Sequence, residues 1–397
     1  MRWNARIRSL WPVIRVALAL SFGALALVLV LGTIGWPAGD VRDADHFQFW
    51  AGSRALLEGA SPYDLDWWTE FHIAEGSRAI HVHPQPPDRP AWTTPYPLWT
   101  FVVFLPFALL PYAYAAAAWL VLQLFAVAGA LVALARALYR EPWRDGVLLL
   151  GLVAASQPLW MLPGSGNVTG FLFAALAFGS VALLSGRDLL AGLLFGLLAI
   201  KPHPFLLVAV TLPFLARSPL RLLAGGAATL GALVAVSLAL RPGWIPEWSR
   251  QAATLQSSSG SNATLVTVDR IIDLPLAAPV AVASVLLFFG AWWLVTRPRP
   301  EVVLAGSVAV SLLVAPHGWT YDHLHLALVA AVILGRLVDV PRIRPAGVLA
   351  LAVVVGPLPW LLYLPAAARN GEEFSALVPA AAFALLVVVD RWSRRGS

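Results

Sequence analysis

The sequence lacks cysteine altogether and contains a single lysine among its 397 residues. Without cysteine the chain forms neither disulfide bonds nor thiolate sites, whatever compartment it occupies. Charged residues are also scarce, at 12% of the chain against about 25% in an ordinary soluble protein. Because apolar residues make up 59%, we expect an all-α polytopic membrane protein that forms one domain over residues 1–397.

Thirteen apolar runs follow one another along the chain. They cover residues 12–34, 97–112, 113–136, 146–162, 166–185, 189–200, 203–216, 219–239, 275–296, 300–315, 323–338, 345–365 and 374–391. A helix needs roughly 20 apolar residues to cross a bilayer, so several of these runs are short. We interpret 97–112 as a half-span that leads into the next helix, which leaves about twelve transmembrane helices.

The basic residues predict the orientation of these helices. Apart from the lone lysine they are all arginine, they lie mostly in short loops between apolar runs, and such loops face the cytoplasm. This rule explains the net charge of +6 without a nucleic-acid partner. It predicts cytoplasmic termini, with a long first loop, 35–94, and a second polar loop, 240–274, outside. We therefore expect a multi-pass protein of the cell membrane.

Residues that were not used to assign this orientation agree with it. Nine acidic residues lie in the loop 35–94, and all eight histidines fall on the outer side or in the outer half of the membrane. The side chains capable of chemistry thus share the extracytoplasmic face. Within this loop, 43–59 and 61–76 are typical of short juxtamembrane helices. We expect Phe47, Trp50, Ala51, Leu56 and Leu57 to face the membrane surface, and Gly59 to terminate the first helix.

Several stretches, in order, resemble glycosyltransferase family 87, a GT-C group of membrane enzymes. The stretch "DADHFQFWAGSRALLEGASPYD" is similar to the first-loop signature of the family, and "PYPLW" at 95–99 to its next motif. Residues 157–173, "QPLWMLPGSGNVTGFLF", match a Pro…Gly-Gln-x-Asn element, except that Ser165 replaces the Gln. Residues 191–207 match a glycine-rich helix that ends in Lys-Pro, and "SNATL" and "APHGWTYDH" match later outer elements.

The resemblance implies a GT-C-type fold and a sugar transferase that works without a cofactor. Such an enzyme takes a hexose, often mannose, from a polyprenyl-phosphate donor. It transfers the sugar to a hydroxyl of a glycolipid or glycan on the extracytoplasmic side, with inversion at the anomeric carbon. The partners expected from the resemblance are therefore the lipid-linked donor, the acceptor and the bilayer.

Asp45 is the expected general base, because a carboxylate can remove the acceptor proton as the hydroxyl attacks. Asp43, two residues earlier, is its rival, and a plain solvated acid on an exposed loop is the other interpretation. Lys201 is the expected ligand of the donor phosphate, assisted by His203, since a charge at this depth usually marks a functional site. Alternatively, Lys201 extends to the interface without any function.

His317 is expected to contact the phosphate leaving group or to orient Asp45, and the alternative is a histidine bonded to a loop carbonyl. The other expected substrate-binding residues are polar or aromatic side chains within the matching motifs. They are Asp43, His46, Gln48, Tyr63, Tyr96, Asn167, Asn262 and Trp319. The pairs His81/His83 and His323/His325 lack the ligand patterns of zinc sites, so we expect no metal.

Three other functions remain open from the sequence. A GT-C enzyme of different specificity, which transfers a pentose or ligates a lipid-linked glycan, is the nearest alternative. A lipid-sugar flippase or transporter should show inverted repeats and polar residues on both faces of the spans. A non-catalytic assembly protein would need neither the buried lysine nor the ordered motifs.

Overall fold

The computed structural model describes residues 45–75, 93–258, 263–267, 274, 276–367 and 372–396, and this part of the chain contains helices and no strand. The α-helices are α1 (Asp45–Leu57), α2 (Leu65–Ala74), α3 (Leu98–Ala108), α4 (Tyr112–Leu138), α5 (Pro142–Ala154), α6 (Gln157–Ser165), α7 (Thr169–Leu184), α8 (Asp188–Gly196), α9 (Leu206–Leu215), α10 (Pro219–Leu240), α11 (Trp244–Ser258), α12 (Ala277–Thr296), α13 (Pro300–Val314), α14 (Leu326–Val338), α15 (Arg344–Val355), α16 (Pro357–Ala367) and α17 (Leu377–Gly396). Short 3-10 helices cover Leu197–Ile200, His203–Phe205, Leu265–Thr267, Thr320–His325 and Glu373–Ala376.

Six helical segments of the described chain are long and apolar enough to cross a membrane. They are Tyr112–Leu138, Pro219–Leu240, Ala277–Thr296, Thr320–Val338, Arg344–Pro365 and Phe374–Arg395. A seventh crossing results if α5 and α6, which meet at an angle of 55°, form one bent span. The chain is thus a multi-pass membrane protein. The number of twelve stays a prediction, because five further apolar helices are shorter and the run 12–34 lies outside the described residues.

The spans differ in how much of their surface meets other helices. About 83% of the apolar window of Thr320–Val338 is buried, whereas only 17% is buried in Pro219–Leu240 and in Ala277–Thr296. In a bilayer, apolar side chains on the protein surface contact lipid without a free-energy penalty. The segment Thr320–Val338 is therefore central, and α10 and α12 lie at the periphery.

The lysine marks a break between two short helices, as the sequence predicted. Helix α8 tightens into the 3-10 turn Leu197–Ile200, the backbone of Lys201 leaves helical geometry with φ −142° and ψ 81°, and α9 begins at Leu206. Pro202 and Pro204 supply no backbone N–H and cannot continue the preceding helix. The indole of Trp99 on α3 donates a hydrogen bond to the carbonyl of Ala199, 3.1 Å away, and so fixes the position of the break.

Glycines allow α8 and α10 to approach closely just before this break. A Cβ on Gly192 would lie 2.0 Å from the carbonyl oxygen of Leu222, and one on Gly225 would lie 2.3 Å from that of Leu189. Small residues at such crossings let two backbones touch in a membrane. This contact sets the position of α8, and hence of the lysine at its end.

Replacing Gly192 with alanine should destabilise the protein by about 1–3 kcal/mol, because the added methyl group meets backbone rather than a movable side chain. A lower thermal unfolding midpoint in detergent would show the loss. Gly231→Ala is the matched control, since this glycine of α10 has no atom within 4 Å of its ideal Cβ position. Equal midpoints for the two variants would contradict the close packing of α8 and α10.

The expected orientation of α1 was wrong for three of the five apolar residues predicted to face the membrane surface, whereas Leu57 is 46% exposed and Leu56 is half-buried. Phe47 and Ala51 are fully buried, and Trp50 is 4% exposed. The Trp50 indole donates to the carbonyl of Leu110, 3.1 Å away, and Ser53 to that of Phe101, 2.8 Å away. Helix α1 thus packs against α3 and the start of α4 inside the protein. Its last residue is Leu57, and Gly59, whose φ is +76°, terminates the helix as predicted.

The predicted polar loop 240–274 contains helix α11, which holds together two segments that are distant from it in the sequence. Glu247 forms an ion pair with Arg241 at 2.7 Å and accepts a hydrogen bond from the hydroxyl of Ser61 at 2.7 Å. The indole of Trp248 donates to the carbonyl of Pro95, also at 2.7 Å. These contacts join α11 to the segments on either side of residues 76–92.

Candidate active site

Asp45 lies at the start of α1, where two side chains from distant parts of the chain donate hydrogen bonds to it. The amide nitrogen of Asn167 is 2.7 Å from its Oδ2, and the hydroxyl of Tyr321 is 3.2 Å from the same oxygen. Asn167 follows α6, and Tyr321 belongs to the 3-10 turn before α14. The side chain of Asp45 is half-buried. It is therefore a fixed acceptor inside the helical assembly and not a freely solvated acid.

The backbone at Gly166 brings Asn167 to this position. Gly166 has φ +58°, and a Cβ there would lie 2.3 Å from the Cβ of His46, so only glycine fits. The indole of Trp119 donates to the Gly166 carbonyl at 3.0 Å. The Asn167 amide also donates to the hydroxyl of Tyr96, at 3.0 Å. Asn167 consequently connects Asp45 and Tyr96 to the end of α6.

The side chain of Lys201 is only 3% exposed and forms an ion pair with Asp322, with 2.6 Å between Nζ and Oδ1. Asp322 is 1% exposed, and its other oxygen accepts from the backbone N–H of Trp319 at 3.1 Å. The Lys201 ammonium also lies 4.5 Å from the centre of the Tyr321 ring. The alternative in which Lys201 extends to the interface is therefore wrong, because the ammonium is held inside by a counter-ion.

Asp45 and Lys201 belong to one chain of polar contacts. From Asp45 the chain passes to the Asn167 amide, whose oxygen accepts from the hydroxyl of Thr169 at 2.8 Å. The Thr169 hydroxyl lies 3.4 Å from Oδ1 of Asp322, which holds Lys201. Only three side chains thus separate the predicted base from the predicted phosphate ligand. Neighbouring Tyr321 touches both ends, through its hydroxyl and its ring.

Sequence reasoning missed Asp322, although it lies within the quoted stretch "APHGWTYDH". Its signal was the lysine itself. A buried ammonium requires an anionic partner, and Asp322 is an acid at the edge of a predicted span. Thr169 was missed as well, because a buried hydroxyl that bridges two polar groups leaves no trace in a sequence pattern.

Protonation in this region follows from burial and from neighbouring charges. Burial raises the pKa of the Asp45 carboxyl above its usual range, while the hydrogen bond from Asn167 and the charge of Lys201 oppose the rise. Burial and the positive charge of Lys201 lower the pKa of His317 to about 4. At neutral pH His317 is thus an uncharged imidazole. Its ring lies 5.6 Å from that of His203 and 5.6 Å from that of Trp319, centre to centre.

The remaining predicted site residues fall into three groups. His46, 2% exposed, packs its ring against Tyr112 and Trp119, and Gln48 is buried on the same helix. The hydroxyl of Tyr63 donates to the carbonyl of Tyr96 at 2.9 Å and so supports that residue. Asp43, Asn262 and the pair His81/His83 lie outside the described residues. Substrate contacts of all these side chains stay predictions.

Within the described ranges, no group of three or more His, Asp or Glu side chains is placed to hold a metal ion. The arrangement is instead suited to acid–base chemistry beside an anion. It combines a carboxylate of raised pKa, a buried ammonium with its counter-ion, and two imidazoles.

Comparison with known proteins gives one match. The model of the family described as Glycosyltransferase family 87 matches residues 92–316, which is more than half of the chain. No curated protein and no solved structure matches. The matched range includes Tyr96, Asn167 and Lys201 but neither Asp45 nor Asp322. The connection of these two acids to the site therefore depends on the geometry.

Proposed function

Since the chain belongs to glycosyltransferase family 87, a GT-C family of membrane glycosyltransferases, we propose that it transfers mannose from a polyprenyl-phosphate donor. The acceptor is a hydroxyl of a glycolipid or glycan, and transfer takes place on the extracytoplasmic side of the cell membrane. The observation that carries this proposal is the polar chain from Asp45 through Asn167 and Thr169 to the Lys201–Asp322 pair.

The proposed reaction is a single displacement at the anomeric carbon. The acceptor oxygen forms a bond to this carbon, while the bond from the carbon to the phosphate oxygen of the donor breaks. Asp45 takes the hydroxyl proton, and polyprenyl phosphate leaves with the electron pair. Attack from the side opposite the leaving group inverts the configuration. The raised pKa of Asp45 makes its carboxylate a stronger base than an exposed aspartate.

Lys201 acts on the phosphate in this proposal. An ammonium has three N–H donors, so Lys201 can keep its contact with Asp322 and still donate to a phosphate oxygen. His317, neutral at pH 7, donates a further hydrogen bond to the leaving group, and His203 assists from beside it. Charge then accumulates on the phosphate next to donors that are already in place, which favours the transition state.

The sugar and the acceptor lie between these two ends of the site. Trp319, half-buried beside His317, offers an aromatic face to the sugar ring. Tyr96 and Asn167 supply hydroxyl and amide groups next to Asp45. Further contacts come from the polar side chains of the outer segments. These are Asp43, His46, Gln48, Tyr63 and Asn262.

Purified protein in nanodiscs tests the proposed donor. We expect transfer from a synthetic short-chain polyprenyl-phosphate-mannose to membrane glycolipids extracted from a strain that lacks this protein, with a mass gain of one hexose. A nucleotide-linked mannose should give no product, because the proposed site recognises a lipid phosphate at the membrane. Transfer only from a pentose donor or only from a nucleotide sugar would contradict the proposal.

A further inference from the structure

A polar cavity lies at the other end of α14 from the candidate active site. Its volume is about 170 Å³, whereas one water molecule needs roughly 10–15 Å³ by the same measure. Three arginines from different segments line it, Arg140 after α4, Arg299 before α13 and Arg336 near the end of α14, together with Glu301 and Asp339. Asp322 and Arg336 are fourteen positions apart, so about 20 Å of helix separates the two sites.

The three arginines are not equivalent. Arg336 is 4% exposed and is held by ion pairs to Asp339 at 3.3 Å and Asp390 at 3.7 Å, and by a hydrogen bond to the hydroxyl of Ser393. Its Nε, buried beside the cavity, has no hydrogen-bond partner within the described residues. Arg336 is therefore fixed in place, its charge is shared by two carboxylates, and its Nε is a donor without a partner among the described residues.

Arg140 and Arg299 are exposed, and neither forms an ion pair with any described residue. They lie at the rim of the cavity, where α13 begins immediately after Arg299. The backbone N–H groups of this first helical turn add partial positive charge at the same place. Two guanidiniums that form no ion pair with described residues, at a concave site, suit a phosphate group, which they bind through paired N–H donors.

The cavity also contains carboxylates, which limit the kind of ligand. Asp339 is paired with Arg336, whereas Glu301 has no ion pair with the described residues. A ligand that satisfies both signs has a phosphate for the arginines and a hydrogen-bond donor for Glu301. Aliphatic Val332 on α14 adds an apolar wall. The cavity lies at the ends of two spanning helices, α4 and α14, which is the level at which lipid headgroups are found.

We propose that this cavity binds the headgroup phosphate of a membrane phospholipid that carries hydroxyl donors, of which phosphatidylglycerol is the probe. The phosphate lies between Arg140 and Arg299 against Arg336, and a headgroup hydroxyl donates to Glu301. This site is separate from the proposed transfer reaction and does not depend on it.

Native mass spectrometry of delipidated protein, titrated with phosphatidylglycerol or with phosphatidylcholine of the same chains, tests the proposal. Wild-type protein should retain one phosphatidylglycerol adduct in preference to phosphatidylcholine. Arg140→Gln/Arg299→Gln should weaken that adduct on the order of tenfold to thirtyfold, because each arginine near a lipid surface contributes roughly a factor of five. Both side chains are exposed, so the variant should keep its fold.

Arg391→Gln/Arg395→Gln is the matched control, since these exposed arginines lie on α17 and do not line the cavity. It removes the same charge and should bind phosphatidylglycerol like the wild type. Equal losses in both double variants, or equal binding of the two lipids, would overturn the proposal. A titration with inorganic phosphate shows whether the bound phosphate group comes from a lipid or from a soluble compound. If phosphate saturates the site and no phosphatidylglycerol adduct forms, the ligand is soluble and the lipid is excluded.

Discussion

Replacing Asp45 with asparagine is expected to lower the turnover of sugar transfer by roughly 10²–10⁴-fold, the usual contribution of a general base. The fold should persist, because the amide oxygen of an asparagine can still accept the hydrogen bonds from Asn167 and Tyr321. Donor affinity should change little, since Asp45 acts on the acceptor hydroxyl. The rate at saturating polyprenyl-phosphate-mannose, measured in nanodiscs, is the readout.

The pH profile and a matched variant distinguish loss of the general base from a nonspecific loss of activity. The base form of Asp45 is lost as the pH falls through its raised pKa, so wild-type kcat/KM should decline on the acid side at a higher pH than an exposed aspartate would give. The residual activity of Asp45→Asn should lack this decline. Asp66→Asn, an exposed acid on α2, should behave as wild type. If Asp43→Asn abolishes transfer while Asp45→Asn is near normal, Asp43 is the base.

Lys201→Met is expected to destabilise the protein by about 3–5 kcal/mol, because it leaves the carboxylate of Asp322 buried without its counter-ion. From the sequence alone, this variant is expected to be neutral or stabilising if Lys201 only extends to the interface, and to fold normally but use the donor poorly if Lys201 holds the phosphate. The ion pair with Asp322 adds a loss of stability that neither interpretation of the sequence predicts. Thermal unfolding of the single variant in detergent measures the effect.

The double variant Lys201→Met/Asp322→Asn separates stability from function. It removes both charges together, and its asparagine oxygen can still accept from the N–H of Trp319, so most of the lost stability should return. Donor use should stay impaired, with KM for polyprenyl-phosphate-mannose raised on the order of tenfold to a hundredfold, because a charge-assisted contact to phosphate is lost. Acceptor affinity should change little.

Another ion pair of the chain supplies the control for this experiment. Arg344 and Asp145 are also 2.6 Å apart, and Asp145 is 4% exposed, but neither belongs to the site. Arg344→Met/Asp145→Asn should leave the donor KM unchanged. Wild-type donor kinetics in the Lys201/Asp322 double variant would show that the pair is only structural.

Local signals in the sequence predicted much of this architecture. The break at Lys201 is determined by two prolines, and the end of α1 by a glycine with positive φ. The orientation of α1 could not be predicted, because Phe47 and Trp50 suit a protein core and a membrane interface equally well. Helix α11 was missed inside a segment that its polar composition marked as a loop. In both cases the sequence does not show which part of the protein packs against the helix.

In the site, too, local motifs could be predicted from the sequence, whereas contacts between distant residues could not. Asp45, Lys201 and Asn167 were identified from the motifs in which they occur, and the structure brings them together. Asp322 was missed because its pairing with Lys201 joins residues 121 positions apart. Likewise, the count of spans depends on whether short apolar helices pair across a break, which a hydropathy pattern does not determine.

The most direct test of a two-part site is to measure donor binding and sugar transfer on the same nanodisc samples. With radiolabelled polyprenyl-phosphate-mannose, we predict that Asp45→Asn binds the donor with wild-type affinity but transfers sugar at least a hundredfold more slowly. Lys201→Met/Asp322→Asn should instead bind the donor at least tenfold more weakly. Wild-type transfer by Asp45→Asn together with wild-type donor binding by the double variant would contradict the assignment of base and phosphate ligand.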